Sequence, residues 1–288
     1  MEVNNFESNI KQENFDISNT KINEVIPYAY GKPITKEEIE ELYSYESAIC
    51  KIKHRISDSG IGFFCEINDD TIPFKKALFT NNHVLNEKSI DINKEIKLEY
   101  CKEEKKISIT KNRKVFTKKE FDYICIEIFD TDNINKFFKI DENINNDKNS
   151  LKNKDIFILQ YPSGELSYDS GTILDIKDDI LSHSISTDKV SSGSPLIKRN
   201  NINLIIGIHV GGHDIENFGH KIKYNFATPF DIIIKDIKLQ LSNKNLNEYK
   251  NRINIIYEIL KDKDSNMKIF GQNFVKNNKE NIKLIIFK

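Results

Sequence analysis

Tryptophan is absent from this 288-residue chain, cysteine occurs only four times, and the charges nearly cancel to a formal net of −1. Each scarcity excludes something. A near-neutral chain has no global pull toward nucleic acid or an anionic membrane. The basic runs Lys105-Lys106 and Lys111 to Lys119 carry no interleaved aromatic pattern, so they read as a solvated hairpin and not a nucleic-acid surface. Cys50, Cys65, Cys101 and Cys125 show no C-x-x-C spacing of the metal-binding kind. Three of them, Cys50, Cys65 and Cys125, sit in apolar runs, where a free thiol behaves as a small hydrophobe. No apolar run approaches membrane-spanning length. The stretch Met1 to Thr20 is polar, with Glu2, Glu7, Lys11, Glu13 and Asp16, and cannot be the apolar core of a signal peptide. A reducing cytoplasm is the expected address.

What is present is a succession of short strand patterns bounded by turn residues. Ala48–Ile52, Gly62–Ile67, Lys76–Thr80, Ile96–Tyr100, Lys106–Thr110 and Tyr123–Ile128 form a first series, enough for one small barrel. Asn145 to Lys154 is a polar connector. Asp155–Tyr161, Gly171–Ile176, Ile180–Ser186, Ser194–Lys198, Asn203–His209 and Tyr224–Thr228 supply a second series. The expected fold is all-β, two antiparallel six-stranded barrels over about residues 48–143 and 155–230. A helix over Phe230–Leu241, apolar at Ile232, Ile233, Ile234, Ile237 and Leu241, would close them within a domain of residues 48–241. Residues 1–47 make an arm ending in a short helix, capped at Thr35 with acids in its first turn and Ile39, Leu42 and Tyr43 on one face. Residues 242–288 form a small tail with strand-like runs at Ile253–Ile259 and Ile282–Phe287.

Chemistry is concentrated in three fragments. Thr80-Asn81-Asn82-His83-Val84 comes first, Phe121-Asp122-Tyr123-Ile124 second, and Ser192-Gly193-Ser194-Pro195-Leu196 third. A serine hydroxyl is a weak nucleophile near neutral pH and needs a histidine within hydrogen-bond reach to take its proton. That imidazole needs a buried carboxylate on its other nitrogen to fix the tautomer and stabilise the imidazolium. His83, Asp122 and Ser192 supply those parts, with Asp130, at the far end of the same strand, as the fallback carboxylate.

On these fragments the chain resembles the chymotrypsin-like (trypsin-like) serine proteases, over about residues 48–235. It is most similar to the intracellular and bacterial-type branch with HtrA-like enzymes and glutamyl endopeptidases. Thr80 to Val84 matches the family's Thr-x-x-His-Val, and Ser192-Gly193-Ser194-Pro195 the last four positions of its Gly-x-Ser-Gly-Ser-Pro. The resemblance implies an endopeptidase that acylates Ser192, with His83 as base and then acid, Asp122 orienting it, and neither cofactor nor metal. It implies an oxyanion hole from the backbone N–H groups of Ser192 and Val190, although the family usually has glycine where Val190 stands. Ile206 to Gly212 matches the strand lining the specificity pocket, which makes His209, Gly211 and Gly212, with Thr187, the expected substrate-binding residues. A histidine and a hydroxyl there suit an acidic side chain, so cleavage after glutamate or aspartate is the expected specificity, against a buried strand histidine with no ligand. The cluster His209, His213, Asp214 and His220 fits no zinc signature, and Gly211, Gly212 and Gly219 read as a mobile loop. The expected partner is a polypeptide substrate, not nucleic acid or membrane. The rival reading is a weak or inactive protease-like scaffold that binds a protein partner through the same cleft, motivated by Val190 and by the additional terminal segments.

Overall fold

The structure, a computed structural model, describes residues 33–243 apart from 54–58, 86, 146–147, 178–179, 189 and 218–219, and at 59, 87, 143, 145, 148–149, 163, 213–217 and 220–224 its backbone alone. Most of the arm and all of the strand-like runs of the tail lie outside the described residues. Two compact units are present. One takes residues up to Asn68 together with Phe74–Ile232, and the other Asp69–Pro73 together with residues from Ile233.

The first unit opens with α1 (Lys36–Tyr43), whose Thr35 cap and Glu38 form a reciprocal capping box. Glu38 also receives the guanidinium of Arg199, at 2.6 and 2.8 Å, which ties the helix to a turn more than 160 residues on. Of the expected apolar face, Leu42 is buried, but Tyr43 is exposed, its ring edge-to-face with Tyr168.

Seven strands follow: β1 (Ile49–Lys53), β2 (Ser59–Glu66), β3 (Lys76–Thr80), β4 (Glu95–Tyr100), β5 (Glu103–Ser108), β6 (Val115–Lys118) and β7 (Tyr123–Glu127). They pair antiparallel in the order β6-β7-β3-β2-β1-β4-β5. Strand β4 shows why they form: Ile96, Leu98 and Tyr100 point inward and alternate with Glu95, Lys97 and Glu99. Strands β3 and β7 are nearly continuous runs of buried residues, as suits the middle of a sheet covered on both faces. The inner side chains form one cluster around Ile52, Phe64, Leu78, Leu98, Ile107 and Ile126.

Among the described residues no ladder joins the outer strands β5 and β6, so this half is a curved open sheet where a closed barrel was expected. Arg113 bridges the gap instead. Its Nε donates to the Ser108 carbonyl at 2.9 Å and its Nη1 to the Glu127 carbonyl at 2.6 Å, while both Nη groups fork onto Asp132 at 2.7 and 3.0 Å. The sequence placed Arg113 in a solvated basic run; the structure buries it, because its five donors satisfy carbonyls that strand pairing leaves open.

The second half does close. Strands β9 (Asp155–Gln160), β10 (Ser167–Lys177), β11 (Ile180–His183), β12 (Pro195–Lys198), β13 (Leu204–Asn217) and β14 (His220–Pro229) run in the order β12-β9-β10-β11-β14-β13, and β13 pairs back with β12. Between the halves, β8 (Phe138–Ile140) lies parallel to both β2 and β13 and merges everything into one 14-stranded sheet. The sequence missed β6 and β8, which are too short to show a period. It also read 211–219 as a loop. The ladder of β13 with β14 instead runs on to Asn217 and His220, since a hairpin keeps pairing wherever both strands have free backbone groups. From residue 230 a helix, α2, continues to 243. In the second unit its Lys238 pairs with Asp69 at 2.5 Å. No helix among the described residues is long and apolar enough to cross a membrane.

Candidate active site

His83 follows the end of β3, in a short helical turn closed by the Leu85 N–H on the Asn81 carbonyl at 3.2 Å. Its Nδ1 lies 2.6 Å from Asp122 Oδ2, and its backbone N–H donates to Oδ1 of the same carboxylate at 2.9 Å. Both oxygens of Asp122 are thus spent on one residue, which fixes the ring's orientation as well as its tautomer. The imidazole is about one-third exposed while the carboxylate is nearly fully buried. Asp122 itself sits at φ +47°, in the left-handed region that aspartate tolerates better than most residues. Two side chains hold that turn: Asn81 Nδ2 donates to the Asp122 carbonyl at 2.9 Å, and Thr228 Oγ1, from β14, to the Phe121 carbonyl at 2.8 Å. Asp130, the fallback, is exposed and bound to Lys76 at the opposite end of β3 from His83, which removes it from the candidate dyad.

The serine segment is held on β2 and β13 through backbone contacts. The Ser192 carbonyl accepts from the Ile61 N–H of β2 at 2.8 Å, and the Gly193 N–H donates to the His209 carbonyl at 2.9 Å. Gly60 lies between the two chemical segments: a Cβ there would stand 2.5 and 2.6 Å from the Val84 methyls and 3.2 Å from the Ser192 carbonyl oxygen. So the residue after His83 and Ser192 itself are neighbours of the same glycine. Gly193 has φ +90°, and a side chain there would run into the Ile61 carbonyl and the Thr80 hydroxyl.

Which serine could react is decided by exposure. Ser191 is fully buried, and its hydroxyl accepts from the Asp188 N–H at 3.0 Å and donates to Gln160 Oε1 at 2.6 Å. Ser194 is fully buried as well, with no partner for its hydroxyl. Ser192 retains 6% of its surface and donates to the Val210 carbonyl at 3.0 Å. That carbonyl is free because the β13–β14 register shifts between His209 and Gly211, and a bulge of this kind re-aims backbone groups beside a site. The buried thiols Cys50, Cys65 and Cys125 are pushed up in pKa by burial, which makes them poor candidates for a thiolate nucleophile.

Of the expected oxyanion and pocket residues, Val190 lies inside the turn that the Ser191 N–H closes on the Asp188 carbonyl at 2.9 Å. Thr187 is buried on the same loop. Gln160, at the end of β9, anchors that loop through Ser191 and, by its Nε2, through the Ser186 carbonyl at 3.2 Å. Nothing in the sequence singled out Gln160, since its role depends on side-chain hydrogen bonds to a loop 26 to 31 residues away. Gly211 and Gly212 continue β13.

His209 is fully buried, and its Nδ1 lies 3.1 Å from Nε2 of His183, another fully buried histidine that sequence reasoning passed over. Its signal was an isolated histidine at a strand end. Burial, with His209 next to it, holds the His183 pKa well below its ordinary value. His183 therefore folds neutral, and the unfolded chain binds the extra proton. Stability from this group is full above the unfolded pKa of about 6.5 and falls as pH drops below it, by up to about 1.4 kcal/mol per unit. The urea midpoint should decline from pH 7.5 to pH 5.5, and less steeply in His183→Gln. An identical decline in both proteins would show that His183 is not the group responsible.

No family model and no curated protein matches this chain. Solved structures do. The chain is similar to the Rv3671c protease of M. tuberculosis in an inactive form, at 15% identity and a TM-score of 0.47, over 69% of this chain and 91% of that one. It is also similar to Deg5, at 15% identity and 0.49, over 71% of this chain and 95% of that one. Catalytically active tobacco etch virus protease complexed with product matches at 17% identity and 0.43, over 69% of this chain and 77% of that one.

Proposed function

We propose that this chain is a serine endopeptidase that cuts polypeptides through an acyl-enzyme on Ser192. One observation carries the reading: a one-third-exposed histidine clamped by both oxygens of a buried aspartate, on a segment that shares Gly60 as a neighbour with the one serine of Ser191, Ser192 and Ser194 that is not fully occluded. His83 takes the hydroxyl proton as Ser192 attacks the scissile carbonyl, then delivers it to the leaving amine. Asp122 stabilises the imidazolium without taking the proton. Water, activated by the same histidine, releases the acyl group. The N–H groups of Ser192 and Val190 are the donors assigned to the oxyanion.

Val190 supports a second reading. It is the third residue of the turn from Asp188 to Ser191, where a type II turn demands φ near +80° and therefore glycine. A β-branched residue favours the type I alternative, in which the central peptide and its N–H point the other way. A scaffold that binds without cutting would have that geometry. Labelling by a fluorophosphonate probe separates the two readings: a protease labels at Ser192, and a scaffold does not label.

The finer proposal concerns specificity. His209 and Thr187 supply a ring nitrogen and a hydroxyl, groups that suit an acidic side chain. Cleavage of a peptide library should then be enriched after glutamate and aspartate. His209→Ala should reduce that enrichment by about tenfold, the effect of a lost hydrogen bond to a charged group. Preferential cleavage after Arg, Lys or large apolar residues would remove the acidic reading and leave the triad untouched.

A further inference from the structure

Beyond His83 the chain builds a second feature that the triad does not use. A cavity of about 360 Å³ opens between β1, β4 and the 3-10 turn Glu87–Ile90, lined by Lys53, Leu85, Lys88, Lys94, Glu95 and Lys97 among others. Four lysines and one glutamate face it in a chain whose formal net charge is −1, so the excess is local. The single acid is already engaged, with Glu95 3.2 Å from Lys106. Lys53 leans on Glu99 at 3.2 Å. Lys88, Lys94 and Lys97 have no ion-pair partner among the described residues. Lys53 and Lys97 also stand directly opposite each other across β1 and β4, an arrangement that costs stability unless an anion lies between.

The cavity's place relative to the chemistry says which anion. Leu85, in its wall, lies two residues past His83 on the same helical turn. His209, assigned to the acyl half of the substrate, comes instead from β13, where its backbone bonds to Gly193 and Ser194. The amine half leaves past the histidine that protonates it. Extended peptide advances about 3.3 Å per residue, so the residues that follow the cut are carried past His83 toward the segment that Leu85 belongs to. Resting on the protease reading, we propose that the lysine-lined cavity receives acidic side chains of the substrate on the leaving-group side, at about the second to fourth residue beyond the scissile bond.

The test uses the full-length Ser192→Ala protein and fluorescent peptides that share one acyl half and carry Glu or Gln at those downstream positions. The Glu peptide should bind about tenfold more tightly, as two partly exposed lysine–carboxylate contacts allow. The preference should shrink toward unity in Lys88→Gln/Lys97→Gln, and again near 1 M salt, where charges are screened within about 3 Å. The wild-type protein should show the same ratio in kcat/KM. Equal binding of the two peptides overturns the proposal, and so does a preference that survives the double substitution. Inorganic phosphate binding there without any Glu preference would make this a small-anion site and also overturn it. Lysine-dependent binding of a Glu peptide that wild type never cuts would sink the protease reading and leave the cavity's anion recognition standing. Cleavage indifferent to the downstream residues would do the reverse.

Discussion

Replacing Ser192 by alanine should abolish peptide hydrolysis, by about a millionfold, and end fluorophosphonate labelling while the protein remains folded. The size follows from the unit nature of a triad: without its nucleophile the remaining members contribute only binding and oxyanion stabilisation. The folding cost should be small. Ser192 loses one hydrogen bond to the Val210 carbonyl, worth about 1 kcal/mol, and the surrounding backbone bonds of Gly193, Ser194 and His209 do not involve its side chain. Ser194→Ala is the matched control. Its hydroxyl is buried and has no partner, so removing it should leave activity and labelling in place. If Ser194 proved to be the labelled residue, the assignment along Ser192-Gly193-Ser194 would be displaced by two. If neither protein labelled, and wild type did not either, the scaffold reading would take over.

How much of this was legible beforehand depended on whether the signal was local. Strand β3 and the start of β7 could be read to the residue, because continuous apolar runs bounded by turn residues define them. His83 and Asp122 stand in short motifs that carry their own turn chemistry, and the structure brings those two together. What stayed hidden depends on partners far away in sequence. Arg113 looks like one more basic residue until Ser108, Glu127 and Asp132 converge on it. His183 and Gln160 look ordinary until β13 and the loop at Ser186 to Ser191 arrive beside them. The single closed barrel, too, is a property of long-range pairing. Strand β8 is three residues long, yet it decides that the two halves share one sheet.

The turn at Gly193 yields the second large effect. Gly193→Ala should cut turnover and labelling by at least about a hundredfold and lower the unfolding midpoint at the same time. Two independent reasons add. At φ +90° an L-residue is strained by about 1–3 kcal/mol whatever the space around it. The new Cβ would also collide with the Ile61 carbonyl, a backbone group of β2 that cannot rotate away, and would lie 2.8 Å from Thr80 Oγ1. Thr80 is itself fixed, since its hydroxyl donates to that same Ile61 carbonyl at 2.7 Å. Neither neighbour can yield, so the turn must move, and Ser192 moves with it. A displacement of about 1 Å in a reacting group is enough for a hundredfold loss. Thr80→Ala would remove one of the two obstacles but not the carbonyl, so it should rescue the Gly193→Ala protein only slightly. Full activity in Gly193→Ala, with an unchanged midpoint, would mean that the serine turn does not rest on β2 as described and that Ser192 is positioned by other contacts.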